Sequence, residues 1–430
     1  MLFNPQAEEL NTAINSANPH VFAMLCERGK GIYFPKKGIL AQSAEAAGKK
    51  INATIGTALE DDGQPMVLNG LKSQLSGVPS SSFNYAPSPG RPDFRKAWQD
   101  LLLKKNPSLK DTAISLPVVT SALTHGLSMA GYLFTDEQDT LVIPDLYWEN
   151  YDLIFKEAYG ARIITYPTFQ SGGYNIEGLR AAVKSATGPK KIIVLNFPNN
   201  PSGYTATDKE ALAIRDLVKE TAEAGSDVLV LIDDAYFGLV YEEGVLKESV
   251  FTLLSNLHER VLAVKLDGPT KEDYVWGFRL GFVTFGCAKS TPAMYSALES
   301  KLAGAIRGNI SNANNLGQTM LLKAWTQEGY DAEKTAKYAM LKQRCQRIRD
   351  ILAAKPEYAR VFEALPFNSG YFMCVRFKKD AEPVRQLLLS KYGVGTIVFG
   401  PVMRLAYSAV PIDKIDEMME CVFKAGQESI

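Results

Sequence analysis

SDVLVLIDD, residues 226–234, places five apolar residues in succession between Asp227 and the acidic pair Asp233 and Asp234. A run that is apolar at every position, not at alternate ones, reads as a strand covered on both faces. The same texture recurs in SLPVVTS (115–121), DTLVIPD (139–145), ARIITYP (161–167), KKIIVLNF (190–197), RVLAVKLDG (260–268) and GFVTFG (281–286), with amphipathic stretches of helical period between them. This predicts an α/β fold: a mostly parallel, seven-stranded sheet with helices on both faces. After about residue 325 the chain turns to charged helices around the strand-like GYFMCVRF, while the first 55 residues lack strong strand runs. The expected organisation is a large domain over 60–325 and a smaller, discontinuous α+β domain built from 1–59 and 326–430.

Composition narrows the function. With 430 residues and 46% hydrophobic content the chain can bury a sizeable core, and Lys+Arg balance Asp+Glu at 47 each, so no whole-chain field attracts nucleic acid or an anionic membrane. The five cysteines, Cys26, Cys287, Cys345, Cys374 and Cys421, are odd in number and show no metal-like spacing, which fits a reducing cytoplasm. His20, His125 and His258 are too dispersed for a histidine metal site, and no metal is expected. No signal peptide or membrane span is expected either.

In open α/β sheets ligands gather beyond the carboxyl ends of the strands. The loops there begin TSALTHG, DLYWENY, NFPNNPSG, DDAYFG and DGPTKED, rich in polar and aromatic groups. A lysine in such a loop becomes a nucleophile when desolvation or nearby cations lower its pKa, and its commonest use is bonding a carbonyl. Pyridoxal phosphate exploits this fully, and it also needs an acid at its ring nitrogen, donors for its phosphate and an aromatic plate.

The spacing K-x5-G-x-R-x-G in KEDYVWGFRLG, preceded in order by NNPSG and DDAY, resembles the class I/II aminotransferases of the aspartate aminotransferase fold type, the pyridoxal-phosphate-dependent fold type I. The resemblance runs from INATIGTALEDDGQP near residue 51 to VMRLAYSAVP near residue 402. It implies that Lys271, not Lys265, bonds the cofactor, and that Asp233, not Asp234, holds the ring nitrogen protonated. It puts Tyr236 and Asn200 on the phenolic oxygen, with Lys271, Asp233 and Tyr236 as the catalytic group. Phosphate contacts fall to Ala122, Leu123, Thr124 and Arg279. The ring plate is Trp148, with Tyr147 as the alternative.

Two departures stand out: many relatives carry glycine where Ala122 or Leu123 stands, and a serine where this chain has Gly268. Thr270 carries a hydroxyl nearby, at a position that is not equivalent. For substrate, the resemblance implies Arg404 on the α-carboxylate and Gly56 at the entrance. It further implies Arg307 on a distal carboxylate and Tyr85 on the phosphate, both reaching across a homodimer; without it, Arg307 reads as a cap or surface arginine. The expected activity is amino-group exchange between an L-amino acid and a 2-oxo acid, with aspartate suggested by Arg307 and glutamate/2-oxoglutarate as the default pair. Alternatives on the same scaffold are an aromatic amino acid aminotransferase or a lyase or decarboxylase. A cofactor-sensing regulator is the non-enzyme alternative, disfavoured by the lack of a basic N-terminal domain.

Overall fold

The structure, a computed structural model, describes residues 3–17, 25, 30, 39–188 and 190–429. His20 and Cys26 lie outside the described residues. The seven apolar runs form β1 (Val118–Thr120), β2 (Thr140–Pro144), β3 (Arg162–Tyr166), β4 (Lys191–Asn196), β5 (Val228–Asp233), β6 (Val261–Asp267) and β7 (Gly281–Gly286). They make one sheet in the order β1-β7-β6-β5-β4-β2-β3. Only β7 runs antiparallel to its neighbours β1 and β6; the other pairs are parallel.

Side chains alternate across each strand, so one run feeds two cores. Ile193, Leu195, Val230 and Ile232 pack on one face with Leu179, Ile214, Leu217 and Val218 of helices Ile176–Ser185 and Asp208–Glu223. Ile192, Val194, Leu229 and Leu231 pack on the other with Leu127, Ala130, Leu302 and Ile306 of helices Ala122–Phe134 and Pro292–Asn309. Each fully buried Leu or Ile contributes ~1.5–3 kcal/mol, so apolar residues dominate both faces. Asn196 stands opposite Asp233, and Asp233 opposite Leu266. The polar ends of β4, β5 and β6 therefore share one edge.

The C-terminal part holds helix Tyr330–Ala354 and a four-stranded antiparallel sheet of β8 (Phe362–Ala364), β9 (Met373–Phe377), β10 (Ile397–Phe399) and β11 (Val402–Leu405), in the order β8-β9-β11-β10. Ile51–Asn52 pairs in parallel with Val394–Gly395, joining an N-terminal segment to this region. Among the described residues no helix is long and apolar enough to cross a membrane. No cluster of three or more His, Cys, Asp or Glu among them is arranged to hold a metal ion.

Candidate active site

A cavity of about 470 Å³ opens beyond the carboxyl ends of β4, β5 and β6, within the usual size range for a small-molecule site. Lys271 reaches it from the single helical turn Pro269–Glu272 that follows β6. Its ammonium lies 5.0 Å from the Tyr236 ring centroid, and its backbone carbonyl accepts from the Tyr371 hydroxyl at 3.0 Å. Burial pushes the Lys271 amine down to about 8; Asp233 opposes this and Arg279 adds to it. About a tenth of the amine is then unprotonated at pH 7, against well under a thousandth for an ordinary lysine.

Asp233 ends β5, 3% exposed. The Tyr151 hydroxyl donates to its Oδ2 at 2.6 Å and the Ala235 amide to its Oδ1 at 3.1 Å. Burial lifts the Asp233 carboxyl, while the Tyr151 hydrogen bond and the Lys271 charge pull it back. The neighbouring pair lies elsewhere. Lys265, fully buried in β6, forms ion pairs with Asp234 and, at 3.1 Å, with Asp267, away from the cavity walls. Asn196 ties two loops of the site: its Nδ2 donates to the Asp233 carbonyl and its Oδ1 accepts from the Asn200 amide, both at 2.8 Å.

At one end of the cavity Ala122, Leu123 and Thr124 start helix Ala122–Phe134, whose N-terminus has no side-chain cap. Uncapped first-turn amides suit an anion. Ala122 and Arg279 both adopt left-handed backbone, with φ of 63° and 51°. The Arg279 guanidinium faces the cavity with only a 3.4 Å contact to the Trp276 carbonyl and, among the described residues, no ion pair. Glycines allow the close packing here. A Cβ on Gly281 would stand 2.8 Å from the Ala122 carbonyl carbon, and one on Gly268 would stand 2.9 Å from both Gly281 Cα and Leu280 O. That contact accounts for glycine at 268, where the resemblance expects serine. Thr270 lines the cavity, its hydroxyl donating to the Leu280 carbonyl at 3.3 Å.

Arg404 enters from β11, 3% exposed. Its Nη1 donates to Asn200 Oδ1 at 2.9 Å, its Nη2 to the Thr54 carbonyl at 3.0 Å, and the guanidinium stacks 4.3 Å from the Phe372 ring centroid. Its Nε is buried without a hydrogen bond. Burial accordingly lowers its pKa. Trp148 and Gly56 also line the cavity, whereas Tyr147 does not and donates instead to Asp152. Tyr236 is 5% exposed, its ring packed edge-on against Tyr371 and Phe372.

Eleven of the thirteen residues singled out in the sequence thus surround one cavity. The other two, Tyr85 (89% exposed) and Arg307, lie on the surface away from it. The resemblance assigns both to a neighbouring subunit. Sequence reasoning missed Tyr151, Asn196 and Phe372. The signal for Tyr151 was present as the last residue of W-x-N-Y; Phe372 had none.

Three cations, Lys271, Arg279 and Arg404, face one carboxylate, Asp233, among the described lining residues. That surplus, with an uncapped helix start at one end and a guanidinium whose Nε has no hydrogen bond at the other, fits pyridoxal phosphate and a substrate carboxylate. A half-buried lysine whose charge is coupled to a buried acid, on a seven-stranded, mostly parallel sheet, defines the class as fold type I. The family description "Aminotransferase class I and II" matches residues 48–421, and the chain belongs to that family of pyridoxal-phosphate-dependent transaminases.

Among similar proteins, the cytoplasmic aspartate aminotransferase of Caenorhabditis elegans is 23% identical over 291 residues, 66% of this chain and 69% of that one. An aspartate aminotransferase of Bacillus subtilis is 27% identical over 200 residues, 46% of this chain and about half (47%) of its own length. The crystal structure of an aminotransferase from Anaerococcus prevotii superimposes with a TM-score of 0.83 at 25% identity, covering 93% of this chain and 98% of that one. The alanine aminotransferase of Pyrococcus furiosus shares the fold with a TM-score of 0.75 at 19% identity, covering 94% of this chain and all (100%) of its own.

Proposed function

We propose that this transaminase exchanges the amino group of an L-amino acid, aspartate first, with a 2-oxo acid, using glutamate and 2-oxoglutarate as the general pair. The observation that carries the reading is the convergence of Lys271, Asp233, Arg279 and Arg404 on one cavity. Support for aspartate comes from relatives named aspartate aminotransferases. Trp276, Phe372 and Ile55 on the cavity wall favour aromatic amino acids as the second reading.

Pyridoxal phosphate, when bound, supplies a carbonyl carbon for the substrate nitrogen and a ring that withdraws electrons from Cα. Lys271 would bond that carbonyl carbon through its amine, and the free amine, with its lowered pKa, would hold the proton removed from Cα. Asp233, backed by Tyr151, keeps the ring nitrogen protonated. Asn200 and Tyr236 donate to the ring oxygen, and Trp148 covers the ring. The amides of Ala122 and Leu123, the Thr124 hydroxyl and Arg279 hold the phosphate. Arg404 pairs with the α-carboxylate through two parallel hydrogen bonds, and Gly56 borders the entrance.

A homodimer brings Tyr85 to the partner's phosphate and Arg307 to a distal carboxylate. The cofactor then belongs mainly to residues 60–325, with 1–59 and 326–430 closing over the substrate. The free, buried cysteines Cys287, Cys345, Cys374 and Cys421 suit a cytoplasmic setting.

The test is a half-reaction screen. Amino acids are added singly to the purified enzyme, and the visible band of the bound cofactor is followed as it converts to the amine form. Aspartate and glutamate are expected to convert it fastest; conversion by aromatic amino acids alone would favour the second reading. Ammonia, or more than one equivalent of 2-oxo acid per site, released without an acceptor would point to a lyase. Borohydride is expected to lock the cofactor onto residue 271, and a Lys271→Ala protein that keeps the band would remove the proposal's basis.

A further inference from the structure

Lys271 sits on one helical turn, Pro269–Glu272, followed by Tyr274 at φ 56°. A single turn cannot hold itself through its own hydrogen bonds. What fixes the lysine's backbone therefore lies outside the turn. Two acids follow Lys271 directly, and neither lines the cavity. Glu272 accepts from Lys105 at 2.8 Å and pairs with Lys334 at 3.2 Å. Asp273 pairs with the same Lys334 at 2.6 Å and accepts from the Trp325 indole at 3.2 Å. Lys105 closes helix Pro92–Lys105, its ammonium 4.7 Å from the Trp98 ring centroid; Lys334 belongs to helix Tyr330–Ala354.

Two carboxylates thus meet two ammonium groups in a largely dry place, with side-chain exposures of 13% for Glu272 and 1% for Asp273. Burial alone would push the Glu272 carboxyl up, but Lys105 and Lys334 outweigh it and hold it well below the ordinary range. Lys334 likewise stays protonated, since Asp273 and Glu272 outweigh its own burial. Without the two lysines, bare negative charge would stand one and two residues from the reactive amine and favour its protonated form.

We propose that Lys105 and Lys334 are positioning residues for Lys271: reaching in from separate helices, they neutralise Glu272 and Asp273, seat the turn that presents the amine, and keep the two acids from retaining its proton. The inference rests on Lys271 being the lysine that bonds the cofactor. The groups that face Lys271 directly are Asp233, Tyr236 and Arg279, and Tyr274 and Tyr330 face the two acids.

The experiment is a pH titration of the visible cofactor band in the holoenzyme, with thermal melting as the check on folding. Lys334→Met is expected to raise the midpoint by about half a unit or more. Lys334→Arg keeps the charge and is expected to stay at the wild-type midpoint. Adding Glu272→Gln to Lys334→Met removes one charge of each sign and is expected to bring the midpoint back, which a merely structural role would not do. Should Lys334→Met fail to fold, Lys105→Met and Lys105→Arg make the same comparison. A folded Met variant whose midpoint stays within about 0.2 unit of wild type would overturn the proposal. Lys271→Ala separates the two readings: if it retains the band, the cofactor assignment fails and not the clamp alone.

Discussion

The Tyr151 hydroxyl donates to Asp233 Oδ2 at 2.6 Å beneath the cavity, and both groups are buried. This bond counteracts the burial that lifts the Asp233 carboxyl, so it favours the ionised form that can accept a ring N–H. Tyr151→Phe is expected to lower kcat/KM by about 10-fold or more, the worth of a hydrogen bond to a charged group, with KM little changed. Steady-state kinetics across pH would show the acid limb moving upward. An unchanged profile would mean that the phenol only fills space.

Arg404 spends two donors on Asn200 and Thr54 and leaves Nε without a partner. Lysine can replace the charge but not the planar fork. Arg404→Lys is expected to raise KM for amino acid and oxo acid alike by about 10- to 100-fold, while the cofactor spectrum stays intact. A rise for only one of the two substrates would argue against a shared α-carboxylate contact.

Lys271 carries a linkage signature in the cofactor-free chain. Its folded pKa, about 8, lies below the ordinary 10.5, so between those values the unfolded chain binds more protons and stability rises with pH. Burying the ammonium costs stability below pH 8, and that cost is relieved as pH climbs towards 10.5. Cofactor-free Lys271→Met is therefore expected to be more stable than wild type at pH 7 by roughly 1–3 kcal/mol. The gap should close at high pH, as read by urea unfolding at several pH values.

Gly268 permits an approach that a Cβ would block at 2.9 Å from Gly281 Cα and Leu280 O. Restoring the serine that the resemblance expects should therefore damage the site. Gly268→Ser is expected to cost about 1–3 kcal/mol through overpacking and to release cofactor faster on dialysis. Tighter retention would show that the strand and the helix start can part to admit the hydroxyl.

The sheet was legible because strands buried on both faces leave a nearly unbroken apolar record, and all seven runs became strands. Direction was not: nothing in GFVTFG distinguishes β7, the antiparallel member, from its parallel neighbours. The choices between Lys271 and Lys265 and between Asp233 and Asp234 rested on motif spacing, and the geometry gives each a physical sense. Asp233 and Asp234 turn to opposite sides of the strand end, one to the cavity and one to Lys265. Tyr151 escaped notice because an aromatic-rich segment reads equally as core. Phe372 and the Thr54 carbonyl escaped because contacts between distant segments leave no local pattern. The Lys105–Glu272–Lys334 cluster spans more than two hundred residues of chain, and in the sequence its members look like ordinary surface charges.

The hydroxyl of Tyr371, two residues ahead of β9, grips the peptide oxygen of Lys271 itself. A swing of the C-terminal sheet must either carry that oxygen along or let it go. The contact ties the segment leading into β9 to the turn that carries Lys271, so a displacement of either would be felt by the other.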